Sequence, residues 1–223
     1  MRAVGHRWRD YRTAAGARPV RGFIRSRRAE DRIAIYAAMV EVTRDGLTAA
    51  RHLRGDIYEV RADGQDESYR LLFAPEGRKG RILLALNAFS KRTQRTPAYI
   101  IPDIGREVRM AVRRSRRDAD FLEEMFAEET GKNPDFPKLL EAAVARRKLL
   151  RRLAAEREKS GISQTAVASR MKTSQSAVAR LEAGDIDAKI STVDRFAAAL
   201  GRRVEWRVVT TRRTRSKRAT SAR

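Results

Sequence analysis

A reversal of charge in the middle of the chain sets its organisation. The basic run Arg113-Arg114-Ser115-Arg116-Arg117 gives way to Asp118-Ala-Asp-Phe-Leu-Glu-Glu-Met-Phe-Ala-Glu-Glu129, and Gly131, Pro134 and Pro137 follow. A change of sign succeeded by glycine and two prolines marks a boundary between folding units. With 223 residues, the chain has room for two small domains, each with its own core. The expected division is a first domain over 1–117, an acidic, proline-containing linker over 118–136, and a second domain over 137–209. A basic tail over 210–223 lacks large apolar residues and is expected to be disordered.

The formal charge of +22 is an excess of basic residues in both halves. A field of that sign draws polyanions, with a steep dependence on salt. The spread over both halves favours nucleic acid over a membrane surface, which a single basic amphipathic helix would suit. No apolar run approaches the ~20 residues that cross a bilayer, and MRAVGHRWRDYR has no apolar signal-peptide core. A cytoplasmic location is expected. The chain has no cysteine, which excludes disulfides, zinc ribbons and thiol nucleophiles. Its two histidines, His6 and His52, are too few for a histidine metal centre, so neither a metal nor a cofactor is expected.

Apolar periodicity predicts a helix over Ser26–Arg44, with Ala29, Ile33, Tyr36 and Val40 on one stripe and Gly46 after it. Three strands follow, Ile57–Ala62, Tyr69–Ala74 and Ile82–Phe89, separated by Asp63-Gly64 and Pro75-Glu-Gly77. A helix near Pro97 carries Ile100, Ile104, Val108 and Val112. The first domain is therefore an α+β unit with an antiparallel sheet. The second is all-α, with helices over Phe136–Lys159, Gln164–Met171, Ser174–Ala183 and Thr192–Leu200. Arg203–Val209 alternates like a strand, and Trp206 is expected to pack.

Ser163 is placed to cap one helix and Thr173 or Ser174 the next, while Ala166, Val167, Met171, Val178 and Leu181 supply apolar packing. Gln175, Ser176, Ala179 and Arg180 then lie on exposed positions of the second helix. Short amides and hydroxyls at a helix N-terminus suit base edges in the major groove, and Gln164 is placed to contact the DNA backbone. Ser163-Gln164-Thr165, Thr173-Ser174-Gln175-Ser176-Ala177-Val178 and Arg180-Leu181-Glu182 with Gly184 resemble the Xre/Cro-type helix-turn-helix family, in particular antitoxins of the HigA type. The resemblance implies a DNA-binding set of Gln164, Thr173, Ser174, Gln175, Ser176, Ala179 and Arg180. It also implies a homodimer on a palindromic operator of double-stranded DNA.

In the first domain, period-two alternation groups Glu59, Arg61, Arg70 and Leu72 on common faces, so Arg61 and Arg70 are expected side by side. Lys91-Arg92 emerges from the end of the third strand. Converging cations of this kind form a phosphate site. Leu53-Arg-Gly-Asp-Ile-Tyr-Glu-Val-Arg61, Tyr69-Arg-Leu-Leu-Phe73 and Phe89-Ser-Lys-Arg-Thr-Gln-Arg-Thr-Pro97 resemble the RelE/HigB toxin superfamily, most closely its phage-derived HigB-like branch. The resemblance implies a metal-independent endoribonuclease that cuts mRNA on the ribosome by attack of a ribose 2′-hydroxyl on the adjacent phosphate. It assigns Arg61 to the phosphate, Arg70 to the transition state and Lys91 or Arg92 to the leaving oxygen. Tyr58 or Tyr99 would orient or accept the 2′-hydroxyl proton. Many HigB-like sequences carry histidine where this chain has Asn87, and the usual second lysine is Arg92.

Two readings follow. In one, the chain is a fused toxin–antitoxin, a repressor of its own operator that carries a latent mRNA endoribonuclease, with the acidic stretch Asp118–Glu129 expected to cover the cationic groove. In the other, it is a transcription regulator whose RelE-like domain is catalytically dead and serves as an RNA-binding or dimerisation module.

Overall fold

A computed structural model describes residues 6–13, 15–64, 66–77, 80–91, 120–184 and 188–208. The expected helix after Pro97 and the basic tail lie outside these residues, as do Arg92 and Tyr99.

The first unit opens with strand β1 (Arg7–Asp10), helices α1 (Pro19–Arg25) and α2 (Ala29–Asp45), and a 3-10 turn over Gly46–Ala49. Strands β2 (Arg51–Arg54), β3 (Ile57–Asp63), β4 (Ser68–Glu76) and β5 (Ile82–Lys91) follow. They form one five-stranded sheet in the order β1-β5-β4-β3-β2. The sheet is antiparallel except at its edge, where β1 runs parallel to β5. The helix expected over Ser26–Arg44 is α2, and α1 precedes it as an additional helix. Pro19 starts α1 at the position where a missing N–H costs nothing, and Gly46, at φ +69°, ends α2.

Alternation along the strands gives the sheet two different faces. Val60, Ala62, Tyr69, Leu71, Phe73, Leu83 and Ala85 bury against Val20, Ile24, Tyr36, Met39 and Val42 of the helix layer. Trp8 joins that core with its indole N–H satisfied by the Met39 carbonyl at 3.1 Å and the Thr43 hydroxyl at 3.0 Å. The opposite face carries Ile57, Leu72, Ala74, Leu84 and Leu86.

The stretch expected as a linker is instead a packed helix, α3 (Phe121–Lys132), capped by Asp120, whose carboxylate accepts from the Leu122 N–H at 2.9 Å. Phe121 and Met125, one turn apart, insert into the first core, which also takes Phe136 and Leu140. Glutamates on its flank reach the helix layer: Glu124 to Arg21 at 3.0 Å, Glu128 to Arg25 at 2.6 Å and Glu129 to Arg32 at 2.7 Å. The acidic segment thus neutralises arginines of α1 and α2, and the expectation that it covers Arg61 and Arg70 is corrected. The inward stripe of Phe121 and Met125 points its carboxylates to the helix layer instead.

The second unit consists of helices α4 (Phe136–Lys159), α5 (Gln164–Met171), α6 (Gln175–Glu182) and α7 (Ile190–Ala199). Leu150 and Leu153 of α4 pack with Val167, Met171, Val178, Leu181, Val193 and Phe196 in a separate core. The strand expected over Arg203–Val209 is absent from residues 202–208. Trp206 is half exposed, its indole N–H donating to Asp194 at 3.1 Å, so it does not pack as expected.

Candidate nucleic-acid interfaces

The turn between α5 and α6 is built by capping. The Ser163 hydroxyl accepts from the Ala166 N–H and the Ser174 hydroxyl from the Ala177 N–H, each at 3.1 Å. Lys172 closes α5 in the left-handed region at φ +53°, and the Thr173 N–H returns to the Ala168 carbonyl at 3.0 Å. Val178 and Leu181 anchor α6 inward. Thr173, Ser174, Gln175 and Ser176 are exposed together at its N-terminal end, with Ala179 half-buried one turn on.

A polar chain fixes the relation of the two helices. Gln175 donates to Gln164 at 2.5 Å, Gln164 donates to Glu182 at 2.8 Å, and Glu182 is clamped by Arg157 of α4 at 2.9 Å. Arg157 and Glu182 are both buried, and the hydrogen bonds to Glu182 raise the guanidinium pKa. Gln164 is therefore half-buried and links the exposed N-terminal residues of α6 to the domain interior.

On the first unit, Arg61 of β3 stands directly opposite Arg70 of β4, on the face away from α1 and α2. Glu59, fully buried, takes Arg61 at 2.7 Å and has the Arg70 guanidinium at 3.7 Å. Asp63 lies 3.9 Å from Arg70 on its other side. Asn87 pairs with Leu72 and Phe89 with Arg70 across β5. Tyr58 is on the other face, stacked on Phe73 at 5.8 Å and beside His52 at 5.1 Å. Neighbouring residues of a strand point to opposite sides, so the structure does not bring Tyr58 to the arginine pair. Lys91 ends β5 across from Ser68. Glu59 and Asp63 were missed as site residues, although alternation along β3 places both on the Arg61 face.

The two units meet along α2 and α4. Arg147 of α4, buried, donates to Glu41 at 2.9 Å, to the Arg61 carbonyl at 3.3 Å and to the Gly184 carbonyl. Gly184, at φ +68°, has the Arg147 side chain 3.5 Å from where a Cβ would stand. Arg151 also pairs with Glu41 and donates to the Ala49 carbonyl at 3.2 Å. Arg180 of α6 reaches across to Asp63, its Nε at 3.1 Å from the carboxylate. Ala183, Arg147 and Arg151 therefore line one small cavity together with Glu59 and Arg61.

Among the described residues no helix is long and apolar enough to cross a membrane. No curated protein matches the chain. Residues 24–109 match the family described as phage derived protein Gp49-like (DUF891), and residues 148–207 match the helix-turn-helix domain family. The first match runs from the end of α1 through β5, and the second from mid-α4 past α7. One polypeptide thus joins a region similar to Gp49-like phage-derived proteins to a region similar to helix-turn-helix domains.

Proposed function

We propose that the protein is an operator-binding autorepressor carrying a latent, ribosome-dependent mRNA endoribonuclease of the RelE/HigB type, held inactive in cis by its HigA-like domain. The observation that carries the regulator half is the exposed cluster Thr173–Ser176 on the capped N-terminus of α6. An amide such as Gln175 can bond an adenine edge at two points, while hydroxyls and Gln164 engage phosphate. A homodimer would set two such helices about 34 Å apart on a palindrome.

The endoribonuclease half is supported by the Arg61–Arg70 pair. Attack of a ribose 2′-hydroxyl on the adjacent phosphate builds negative charge on a pentavalent phosphorus, which guanidinium groups stabilise without a metal. In the docked chain those guanidiniums answer to Glu59 and Asp63, and Arg147 with Ala183 sits beside Arg61. This accounts for latency. The test is mRNA cleavage on translating ribosomes by a chain whose interface is loosened by Glu41→Gln, compared with the same chain carrying Arg70→Ala. Cleavage that disappears with Arg70 supports the assignment.

One observation favours the second reading. Asn87, on the Arg70 face, has no titratable proton, and Tyr58 is turned away. The carboxylates described on that face, Glu59 and Asp63, are engaged by Arg61, Arg70 and Arg180, and a face whose bases are tied up in ion pairs binds RNA without cutting it. In that case both loosened chains leave mRNA intact while the Arg70→Ala chain binds RNA more weakly.

A further inference from the structure

Among the described residues, Asp63 is the one carboxylate that contacts arginines of both proposed sites. It ends β3 with its side chain only 3% exposed. One oxygen accepts from Arg180 on the helix proposed to read DNA, and the other faces Arg70 of the proposed phosphate site at 3.9 Å. The turn that follows is acidic. Asp66 is exposed, Glu67 is half-buried, and Asp31 approaches so closely that a Cβ on Gly64 would stand 1.9 Å from its carboxylate oxygen. Glu30 lines the same inter-unit groove as Asp63, with Arg146 and Arg147 opposite.

This edge lies beside the exposed face of α6. A duplex engaging that face brings phosphates toward this acidic edge, where Arg28 lies 3.0 Å from Asp66 and Arg27 3.7 Å from Glu67. It also finds Arg180 already bound. A phosphate and a buried carboxylate compete for one guanidinium, and they cannot both hold it in the same geometry. We propose that operator DNA displaces Asp63 from Arg180, so that DNA binding undocks the two units and the DNA-bound chain is the form in which Arg61 and Arg70 are uncovered. This rests on the DNA-reading assignment and adds its regulation.

Linkage makes the effect reciprocal. Whatever favours the undocked form favours DNA, and DNA favours access to the arginine pair. The helix-turn-helix domain would then be an inhibitor only while off the operator, with the operator acting as the release signal.

Two measurements on the full chain test this, using as probe the duplex immediately upstream of its own coding sequence. Asp63→Asn leaves Arg180 without a charged competitor and should bind that duplex at least about fivefold more tightly than wild type. Independently, the chain contains no cysteine, so nitroxide labels can be placed at the exposed positions Asp56→Cys and Ser169→Cys, one in each unit. Their separation should lengthen on adding duplex. If Asp63→Asn destabilises the fold, the label distance in the chain with native Asp63 decides alone. Duplex binding with an unchanged label distance would overturn the competition and leave DNA reading intact. Failure of both chains to bind duplex would remove the DNA-reading assignment and this inference with it.

Discussion

Glu41 of α2 and Arg147 of α4, 106 positions apart in the chain, meet in a buried ion pair at 2.9 Å. Arg151 shares the same carboxylate. Arg147 spends its remaining donors on the Arg61 and Gly184 carbonyls, so one side chain ties α2, β3 and the end of α6 together. Removing the acceptor leaves a buried guanidinium without its counter-charge, a loss of about 3 kcal/mol in comparable sites. Glu41→Gln should therefore lower the urea midpoint and increase protease cutting between the units. An unchanged midpoint would show that this pair does not hold them.

Arg157 and Glu182 form the corresponding clamp inside the helix-turn-helix domain, and Gln164 hangs from it. Glu182→Ala should cost about 3 kcal/mol and weaken duplex binding, because Gln164 and Gln175 lose their fixed relation. Glu182→Gln keeps the acceptor without the charge and should lose less. Equal melting temperatures for the two variants would contradict the ionic role.

Truncation after residue 117 should fail to give a folded first unit. Phe121, Met125, Phe136 and Leu140 all sit in its core, each 6% exposed or less. Losing a large core side chain costs about 2–5 kcal/mol, and four together match the whole stability of a small domain, about 5–15 kcal/mol. Near-ultraviolet circular dichroism of residues 1–117 should lack tertiary signal, whereas residues 1–145 should retain it.

The docking of α3 should weaken in acid. Hydrogen bonds from Arg25, Lys132 and Arg21 hold the Glu128 carboxyl down to about 2, against an ordinary value of 4.5. A lowered folded pKa means stability that is complete above the ordinary value and lost as pH falls from about 4.5 toward 2. Glu76 and Asp120, raised by burial, act in the opposite sense, since their protonation relieves the fold. The stability gap between wild type and Glu128→Gln should therefore narrow as pH falls through that window. A gap of constant size would remove the pairing.

Local chemistry made much of this legible. Ser163 and Lys172 mark the ends of α5, and the expected limits of α4 and α5 coincide with the observed ones. Alternation along β3 and β4 put Arg61 and Arg70 side by side before any register was known. The four-residue strands β1 and β2 carry too few positions for a period, and the seven residues of α1 are too short for a helical stripe although Pro19 signals a start. The acidic stretch reads as a linker because its charge outweighs the Phe121–Met125 spacing. The Asp63–Arg180 pair spans 117 positions, and nothing local at either residue points to the other.

The account depends most on α6 touching base pairs through its N-terminal side chains. The direct measurement is the ratio of affinities for the upstream duplex and for a scrambled duplex of equal length, in wild type and Gln175→Ala, at fixed salt. Loss of one good base contact should lower that ratio by about 1–3 kcal/mol, roughly fivefold to a hundredfold, with little change in affinity for the scrambled duplex. An unchanged ratio would contradict the assignment of α6 as the reading helix.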